Sequence, residues 1–444
     1  MTDIRKLPIG IQNFEKLRTE KYVYIDKTQY VYKLAQTSVP YFIGRPRRFG
    51  KSLFLSTLRA YFEGKKHLFE GLAVAELEKE WTEFPVIYID FNQAAYTSLQ
   101  TLKNVLNDVL KEYEEQLKIK TEEPEYSLRF KKIIKTAFEQ TSRKVVVLVD
   151  EYDKPLLGTM DDLKVHEDIR VALRGFYGVL KSMDEYLRFV CLTGVTKFSK
   201  VSIFSDLNHL LDISMDEKYA GVCGITEKEL LDNFQPELES FAERRKMTKE
   251  QVLAEMKKNY DGYLFAPESE GVYNPFSLLN AFHSRIFDSY WFETGTPDML
   301  ARRVESENLN PRDFDRDTII STKELKDYRP GETSIIPLLY QSGYLTIKDY
   351  EADYGVYRLG FPNEEVKYGF MRNLLPVYAP AQISTLTSFF AGNFVRSLRN
   401  GDTEGFMVQL KAFYASIPYN VVRKKQKNEQ HYQFIFYLLF TLMG

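Results

Sequence analysis

The sequence predicts an α/β protein built on a mostly parallel β-sheet flanked by helices, and two segments carry this prediction. The first has the motif Arg-Pro-Arg-Arg-Phe-Gly-Lys-Ser at residues 45–52, between a short apolar run and an amphipathic run. The second is the apolar run Val-Val-Val-Leu-Val at residues 145–149, which Asp150 and Glu151 follow. Such a β-branched run is typical of a central parallel strand that is buried on both faces.

The first segment has the order of a phosphate-binding loop, because a strand, a tight loop and a helix follow one another. In such a loop the backbone N–H groups and the helix N-terminus face the β-phosphate of a nucleoside triphosphate. The lysine, here Lys51, contacts the β- and γ-phosphates, and the serine hydroxyl, here Ser52, binds Mg²⁺. The predicted nucleotide-binding residues of the loop are Arg45, Arg48, Phe49, Gly50, Lys51, Ser52 and Leu53. A plain surface turn is the alternative for this segment alone, because Arg45 stands where the usual pattern has glycine.

The second segment supplies the acidic partners of such a site. Ligands of open α/β sheets bind at the C-terminal ends of the strands. Asp150 is therefore the predicted Mg²⁺ partner, directly or through a water, and Glu151 is the predicted general base that polarises the attacking water. A strand end with solvated acids is the alternative for this segment alone. The presence of both segments in one chain favours a site for ATP and Mg²⁺.

Composition is compatible with a cytoplasmic, multidomain ATPase. The chain has 444 residues, more than one domain usually needs, and its 60 basic and 62 acidic residues nearly balance. No global charge therefore predicts a nucleic-acid or membrane surface. Cys191 and Cys223 are the only cysteines, which predicts buried thiols in a reducing compartment. No apolar secretion signal follows Met1.

Several further motifs resemble the AAA-ATPase-like family of bacterial proteins. They include Leu-Pro-Ile-Gly-Ile-Gln-Asn-Phe at 7–14, Tyr-Ile-Asp-Lys-Thr at 24–28, Leu-Thr-Gly-Val-Thr-Lys-Phe-Ser at 192–199, Ile-Phe-Ser-Asp-Leu-Asn at 203–208, Tyr-Asp-Gly-Tyr at 260–263 and Tyr-Asn-Pro-Phe-Ser at 273–277. The resemblance covers most of the chain and implies a P-loop ATPase core in which an arginine at position 45 belongs to the loop. Members of the family often carry a C-terminal nuclease-like domain of the PD-(D/E)XK type.

Two more strands and three crossover helices complete the predicted sheet layer, with the strand at 145–149 expected beside the strand at 41–43. The strands are predicted at 84–91 and 187–192, and the helices at about 99–118, 125–141 and 167–183. Related ATPases keep a polar sensor after such a strand, which suggests Thr193 as a catalytic residue and Thr196 as the alternative. A capping role for the Thr193 hydroxyl stays open.

Two pairs of arginines have two interpretations each. Arg47 and Arg48 lie inside the loop and either add positive charge to the phosphates or face solvent. Arg170 and Arg174 are four residues apart on a predicted helix and therefore share one face. In an oligomer that face would present an arginine finger to a neighbouring subunit, but a solvated surface is the favoured interpretation.

A helical lid follows the core, because the pattern becomes helical from residue 226 and a capping box at 248–251 begins one of the helices. In related ATPases a proline at the start of a lid helix packs on adenine, which nominates Pro275. The predicted domains are an ATPase core at 1–225, the lid at 226–290, a winged-helix-like domain at 291–380, and a helical linker with the start of a truncated nuclease-like domain at 381–444.

The last two regions predict no direct contact with DNA or membrane. Residues 321–361 predict two helices and a two-stranded wing, and the second helix carries no lysine or arginine, which favours a structural or regulatory role. The apolar tail of residues 429–443 is about half the roughly 20 residues that a membrane span needs. It resembles the first helix of the nuclease-like domain, so no nuclease centre is expected and Glu429 is at most an outlying acidic ligand. Nucleic acid would be bound only through the missing domain.

The sequence thus predicts an ATP-binding and ATP-hydrolysing regulatory protein whose nucleotide state gates a C-terminal effector module. The alternative is a nucleotide-binding scaffold with little turnover that acts through protein–protein interaction. Its expected partners are further copies of the chain or an effector protein.

Overall fold

A parallel five-stranded sheet lies at the centre of the computed structural model, which describes residues 5–197, 210–292, 297–307, 309–326, 328, 334–378, 386–415 and 429–443. The strands are β1 (Tyr41–Gly44), β2 (Val86–Asp90), β3 (Val145–Asp150), β4 (Leu187–Gly194) and β5 (Leu211–Asp212). Their order across the sheet is β2-β3-β4-β1-β5, and all neighbours are parallel. The motif at 203–208 lies outside the described residues.

One detail of the predicted sheet is wrong, because β3 does not lie directly beside β1. β4 lies between them, with Thr193 in register with Ile43 of β1 and Leu192 in register with Val149 of β3. The interior position of β3 is confirmed, since Val145 to Val149 have no exposed surface. The insertion of β4 places Thr193 between the loop that follows β1 and the acids that end β3.

Helices cover both faces of this sheet, as the run of apolar strands requires. They are α1 (Phe14–Thr19), α2 (Thr28–Ala35), α3 (Lys51–Phe62), α4 (Ala73–Leu77), α5 (Leu99–Gln116), α6 (Tyr126–Thr141), α7 (Lys154–Leu157) and α8 (Leu163–Ser182). α5, α6 and α8 are the three predicted crossover helices. The guanidinium of Arg129 fastens α6 to α5 by donating to both carboxylate oxygens of Glu114 at 2.8 and 2.7 Å.

Helices α9 (Glu227–Asn233), α10 (Gln235–Arg245), α11 (Lys249–Tyr260) and α12 (Pro275–Ser284) enclose a small apolar core of their own. The predicted capping box is confirmed at Thr248, where the side chains of Thr248 and Gln251 exchange hydrogen bonds with each other's backbone N–H. Asn274 caps α12 by accepting from the backbone N–H groups of Phe276 and Ser277. These caps begin α11 and α12 where the chain enters each helix from an extended residue.

A second, antiparallel sheet follows in the order β6-β8-β7. Its region contains α13 (Pro297–Ser306), β6 (Asp315–Ser321), α14 (Thr322–Leu325), α15 (Ile336–Gln341), β7 (Thr346–Glu351), β8 (Val356–Gly360) and α16 (Glu364–Tyr378). The predicted wing corresponds to β7 and β8, and β6 is a strand that the sequence analysis did not predict. α15 buries Ile336, Leu338 and Leu339, so this helix is a packing element.

Helices α17 (Leu386–Arg399), α18 (Thr403–Ala415) and α19 (Glu429–Met443) form the C-terminal part of the described chain. α19 packs on α16 and α17 and buries Ile435 and Leu438 completely. The ring of Phe434 contacts Tyr378 of α16 edge-on, with the ring centroids 5.8 Å apart. Glu429 lies exposed at the start of α19. No described helix combines the length and apolar character needed to cross a membrane.

Leu438→Ala should lower the free energy of unfolding by about 2–5 kcal/mol, because the deleted atoms leave a cavity between α19 and its neighbours. Phe436→Ala is the matched control on the same helix, since 41% of the Phe436 side chain is exposed. Urea titration followed by circular dichroism measures both. Equal effects of the two substitutions would contradict the packing of α19.

Candidate nucleotide-binding site

The loop between β1 and α3 forms one wall of a cavity of about 400 Å³. Gly50 ends the loop with φ +94°, a left-handed conformation that glycine adopts without strain, and α3 begins at Lys51. The first N–H groups of a helix have no acceptor within the helix, so the start of α3 offers donors to an anion. The loop therefore ends in a left-handed glycine directly before a helix whose first residues line the cavity.

The ammonium of Lys51 lies within the loop. Its Nζ donates to the backbone oxygens of Arg45 at 3.0 Å and Pro46 at 3.1 Å, and only 4% of Lys51 is exposed. Its sequence neighbours Gly50, Ser52 and Leu53 also line the cavity. The structure thus brings four of the predicted binding residues together at the start of α3.

Arg45 belongs to the loop but is separated from the cavity. Its guanidinium is buried, donates to the backbone oxygens of Ser214 at 2.7 Å and Tyr219 at 2.9 Å, and lies over the ring of Phe265 at 4.1 Å. Burial lowers the pKa of this guanidinium. The Arg45 side chain is therefore engaged in holding the loop against the segment after β5, and only its backbone faces Lys51.

The remaining loop residues divide between packing and exposure. Phe49 is buried, and its ring packs edge-on against Tyr263 at 4.7 Å between the ring centroids. Arg48 has φ +66°, is exposed on the cavity wall, and lies over the ring of Phe276 at 5.0 Å. Arg47 also lines the cavity, and its backbone oxygen accepts from Nε1 of Trp291 at 2.9 Å.

The acids at the end of β3 are held by β2 and β4. The Thr193 hydroxyl donates to Oδ1 of Asp150 at 2.5 Å, and the Tyr88 hydroxyl donates to Oδ2 at 3.2 Å. The backbone N–H of Glu151 donates to the Thr193 hydroxyl at 3.4 Å. Thr193 is fully buried and does not line the cavity.

A second cavity of about 320 Å³ adjoins the first, and Ser52 lines both. Asp150 and Asp90 lie on its wall, where the ends of the paired strands β2 and β3 place them in register. Burial, and then the nearby carboxylates of Asp150 and Glu151, raise the pKa of Asp90. Within the described part of the chain no group of three or more His, Cys, Asp and Glu side chains could hold a metal by itself. Mg²⁺ usually takes one or two protein ligands and completes its shell with phosphates and water, which fits Ser52 and Asp150.

Glu151 lines the first cavity with 24% of its side chain exposed. Its φ of +50° is left-handed, a conformation that costs a non-glycine residue about 1–3 kcal/mol. One carboxylate oxygen lies 3.6 Å from Nζ of Lys154, whose ammonium also donates to Asn92. The base candidate is therefore near the loop and is paired with a cation.

The wall opposite the loop is apolar. Pro275, the first residue of α12, lines it together with Phe276 and Leu279, and Ile9 and Ile25 contribute from the N-terminal segment. Apolar side chains of this kind can sandwich a flat aromatic base. The predicted adenine contact, Pro275, therefore shares a cavity with Lys51.

Residues 8–204 match the profile of a family described as Predicted AAA-ATPase. An uncharacterized protein in the vnfD 5′ region of Azotobacter chroococcum mcd 1 is 38% identical over 450 aligned residues, which cover 99% of this chain and 83% of that protein. The chain belongs to the AAA-ATPase-like family. Family membership points to nucleotide binding, typically with Mg²⁺.

Arg170, Arg174 and Thr196 also lie away from the cavity lining of this AAA-ATPase-like chain. The Arg170 guanidinium is paired with Glu167 on α8, and Arg174 is exposed on the same helix. Thr196 is fully buried, and its backbone N–H donates to Asp153. An arginine-finger role for Arg170 or Arg174 stays a prediction.

Sequence reasoning missed Asp90 and Asp153. Asp90 ends a predicted strand, so the rule that parallel strands end at one edge of the sheet could have found it. Asp153 carries no such signal, because its carboxylate is fully buried and accepts from the N–H groups of Val195 at 3.0 Å and Thr196 at 2.6 Å. It ties the start of α7 to the segment after β4.

Asp153→Asn should remove a pH dependence of stability. Burial raises the pKa of Asp153 from 3.8 to about 6, so the folded protein keeps this proton after the unfolded chain has lost it. As the pH rises from 4 to 6, this group alone should therefore lower the free energy of unfolding of the wild type by about 3 kcal/mol. Its contribution should stay constant above pH 6. The asparagine oxygen can still accept both N–H groups.

Chemical denaturation of both proteins across pH 4–8 measures this effect, with Asp168→Asn on the exposed face of α8 as the control. The stability of Asp153→Asn relative to the wild type should rise between pH 4 and 6. A constant difference across that window would contradict the buried carboxyl.

Proposed function

We propose that this protein is a Mg²⁺-dependent ATPase that binds ATP in the cavity between the loop at 45–52 and α12. The observation that carries the proposal is that Lys51 and Ser52, at the start of α3, share one cavity with Glu151 and Pro275. A phosphate donor set, a carboxylate and an apolar base wall are the parts that ATP needs from a protein.

Binding would draw on the two ends of the cavity. Lys51 would exchange its present acceptors, the backbone oxygens of Arg45 and Pro46, for phosphate oxygens. Arg48 would add a second cation, and the N–H groups of Gly50 and Ser52 would complete the cradle. Adenine would lie against Pro275 and its apolar neighbours.

The acids at the end of β3 would catalyse hydrolysis. Glu151 would accept a proton from the attacking water, and the strained backbone at Glu151 supports a functional role for this residue. Mg²⁺ would be held by Ser52 and Asp150 with the phosphate oxygens and would neutralise charge on the leaving phosphates. Thr193, whose hydroxyl bonds the Asp150 carboxylate and the backbone N–H of Glu151, would keep Asp150 oriented and hold the backbone at Glu151.

The nucleotide state would act on the C-terminal half, which we propose to be a winged-helix-like regulatory module followed by a helical linker. The order of α13, β6, α14, α15, β7 and β8 supports the winged-helix-like assignment. α15 is apolar and packed inside, which supports a regulatory role over DNA binding. The domain limits at 225, 290 and 380 remain predictions.

A nucleotide-binding scaffold with little turnover is the second candidate. The ion pair of Glu151 with Lys154 favours it, because the Lys154 ammonium occupies the carboxylate that would have to bind the attacking water. Phosphate release from ATP, measured on the wild type, separates the two candidates.

Lys51→Ala should weaken ATP binding by roughly 10- to 100-fold or more, because it removes the charge-assisted hydrogen bonds to the phosphates. Isothermal calorimetry with MgATP measures the change. Lys66→Ala, an exposed lysine on the turn after α3, is the matched control. Unchanged affinity in folded Lys51→Ala would overturn the assignment of the loop.

Glu151→Gln should bind ATP normally but release phosphate about 10²–10⁴-fold more slowly than the wild type, because the amide cannot act as a general base. Glu139→Gln, which removes an exposed carboxylate from α6, is the control. A loss smaller than threefold would assign the base to another residue.

A further inference from the structure

Residues of the C-terminal half contact the backbone of the loop at residues 45–52. The indole Nε1 of Trp291 donates to the backbone oxygen of Arg47 at 2.9 Å, and only 3% of Trp291 is exposed. Gly343, with φ +90°, lies so close that a Cβ there would sit 2.7 Å from Cβ of Pro46. The loop backbone at residues 46 and 47 is therefore packed between the start of α3 and the C-terminal half.

The backbone of Trp291 is in turn held by a buried carboxylate. Oε1 of Glu365 accepts from the N–H groups of Tyr290 at 2.5 Å and Trp291 at 2.7 Å. Oε2 accepts from the Ser277 hydroxyl at 2.7 Å. Glu365 lies in the first turn of α16 and is 5% exposed, and burial raises its pKa to about 7.

These contacts join three parts of the molecule. Ser277 lies in the first turn of α12, two residues after Pro275 of the cavity wall. Trp291 contacts the loop at residues 45–52, and Glu365 lies in the first turn of α16, on which α19 packs. Burying a carboxylate is costly unless hydrogen bonds compensate, and the described partners of Glu365 are donors from α12 and from the segment that carries Trp291.

We propose that Trp291 and Glu365 are positioning residues of the nucleotide site, which fasten the loop backbone at Arg47 and the wall helix α12 to α16. Neither residue lies on the cavity wall, so their effect reaches the nucleotide through Arg47 and α12. This inference rests on the proposed binding of ATP. It predicts that ATP binding changes the environment of Trp291 and that loss of either residue weakens binding through the same contact.

The chain's two tryptophans allow a direct test. In Trp81→Phe, Trp291 is the sole tryptophan, and its emission should change on titration with MgATP with the same dissociation constant that calorimetry gives. Trp291→Phe is the matched control, because Trp81 packs on Tyr61 and Phe69, away from the cavity, and its emission should stay constant. No heat of binding would overturn the proposed function. Binding with constant Trp291 emission would overturn this inference alone.

A double-mutant cycle tests the shared action of the two residues. Trp291→Phe removes the N–H donor and keeps a ring, and Glu365→Gln keeps the size of the side chain but turns one acceptor into a donor. Each should weaken MgATP binding about 10-fold, and the double variant should be weakened by clearly less than 100-fold, because both residues act on the contact with Arg47. A loss of about 100-fold in the double variant, or unchanged affinity in either single variant, would overturn the proposal.

Glu364→Gln, on the neighbouring residue of α16, is the control and should bind ATP within twofold of the wild type. In the Trp81→Phe background, Glu365→Gln should still bind ATP at saturating concentration but with a smaller change in Trp291 emission. If the change in Trp291 emission is as large as in Trp81→Phe alone, Glu365 contributes only to stability, which thermal unfolding of the same variant measures. Should Glu365→Gln fail to fold, Trp291→Phe alone decides, since normal ATP affinity in that variant contradicts the proposal.

Discussion

The buried guanidinium of Arg45 is the constraint on which the loop at residues 45–52 depends. A charge in the interior is stable only when other interactions replace its hydration. Arg45 donates hydrogen bonds to backbone oxygens beyond β5, and its guanidinium makes a cation–π contact with the Phe265 ring. The loop is thereby fixed at its first residue. Only a few residues separate Arg45 from the start of α3, and two of them, Arg48 and Gly50, have left-handed backbone conformations. The residue that departs from the usual loop pattern is thus the residue that anchors this loop.

The order of the strands decides how the acids meet the loop. Because β4 lies between β1 and β3, Thr193 stands where it can bond Asp150 and the backbone of Glu151. The same sheet edge brings Asp90 beside Asp150, so the carboxylates come from two strands. Repulsion and burial at this edge favour neutralisation by a bound cation, which is compatible with Mg²⁺ between Ser52 and Asp150.

The two halves of the chain are joined at the site itself. α12 supplies a wall of the cavity, and the contacts of Trp291 and Gly343 reach the loop from the opposite side. A change in the loop that accompanies nucleotide binding would therefore meet packed side chains on both sides, and close-packed interiors transmit such displacements. Packed contacts run from Arg47 through Trp291 and Glu365 to α16, on which α19 packs.

The sequence by itself determined the local elements of this protein. Apolar runs predicted four strands of the central sheet, helical patterns predicted its crossover helices, and Gly50-Lys51-Ser52 with Asp150-Glu151 predicted the loop and acids. These signals are local, because strand burial, helix periodicity and loop chemistry depend on residues that are neighbours in sequence. Only the tertiary structure decided which strand separates β1 from β3, where the Arg45 guanidinium points, and which buried carboxylates, Asp153 and Glu365, join distant segments. Those features depend on contacts between residues far apart in the chain, and no periodicity or motif records such contacts.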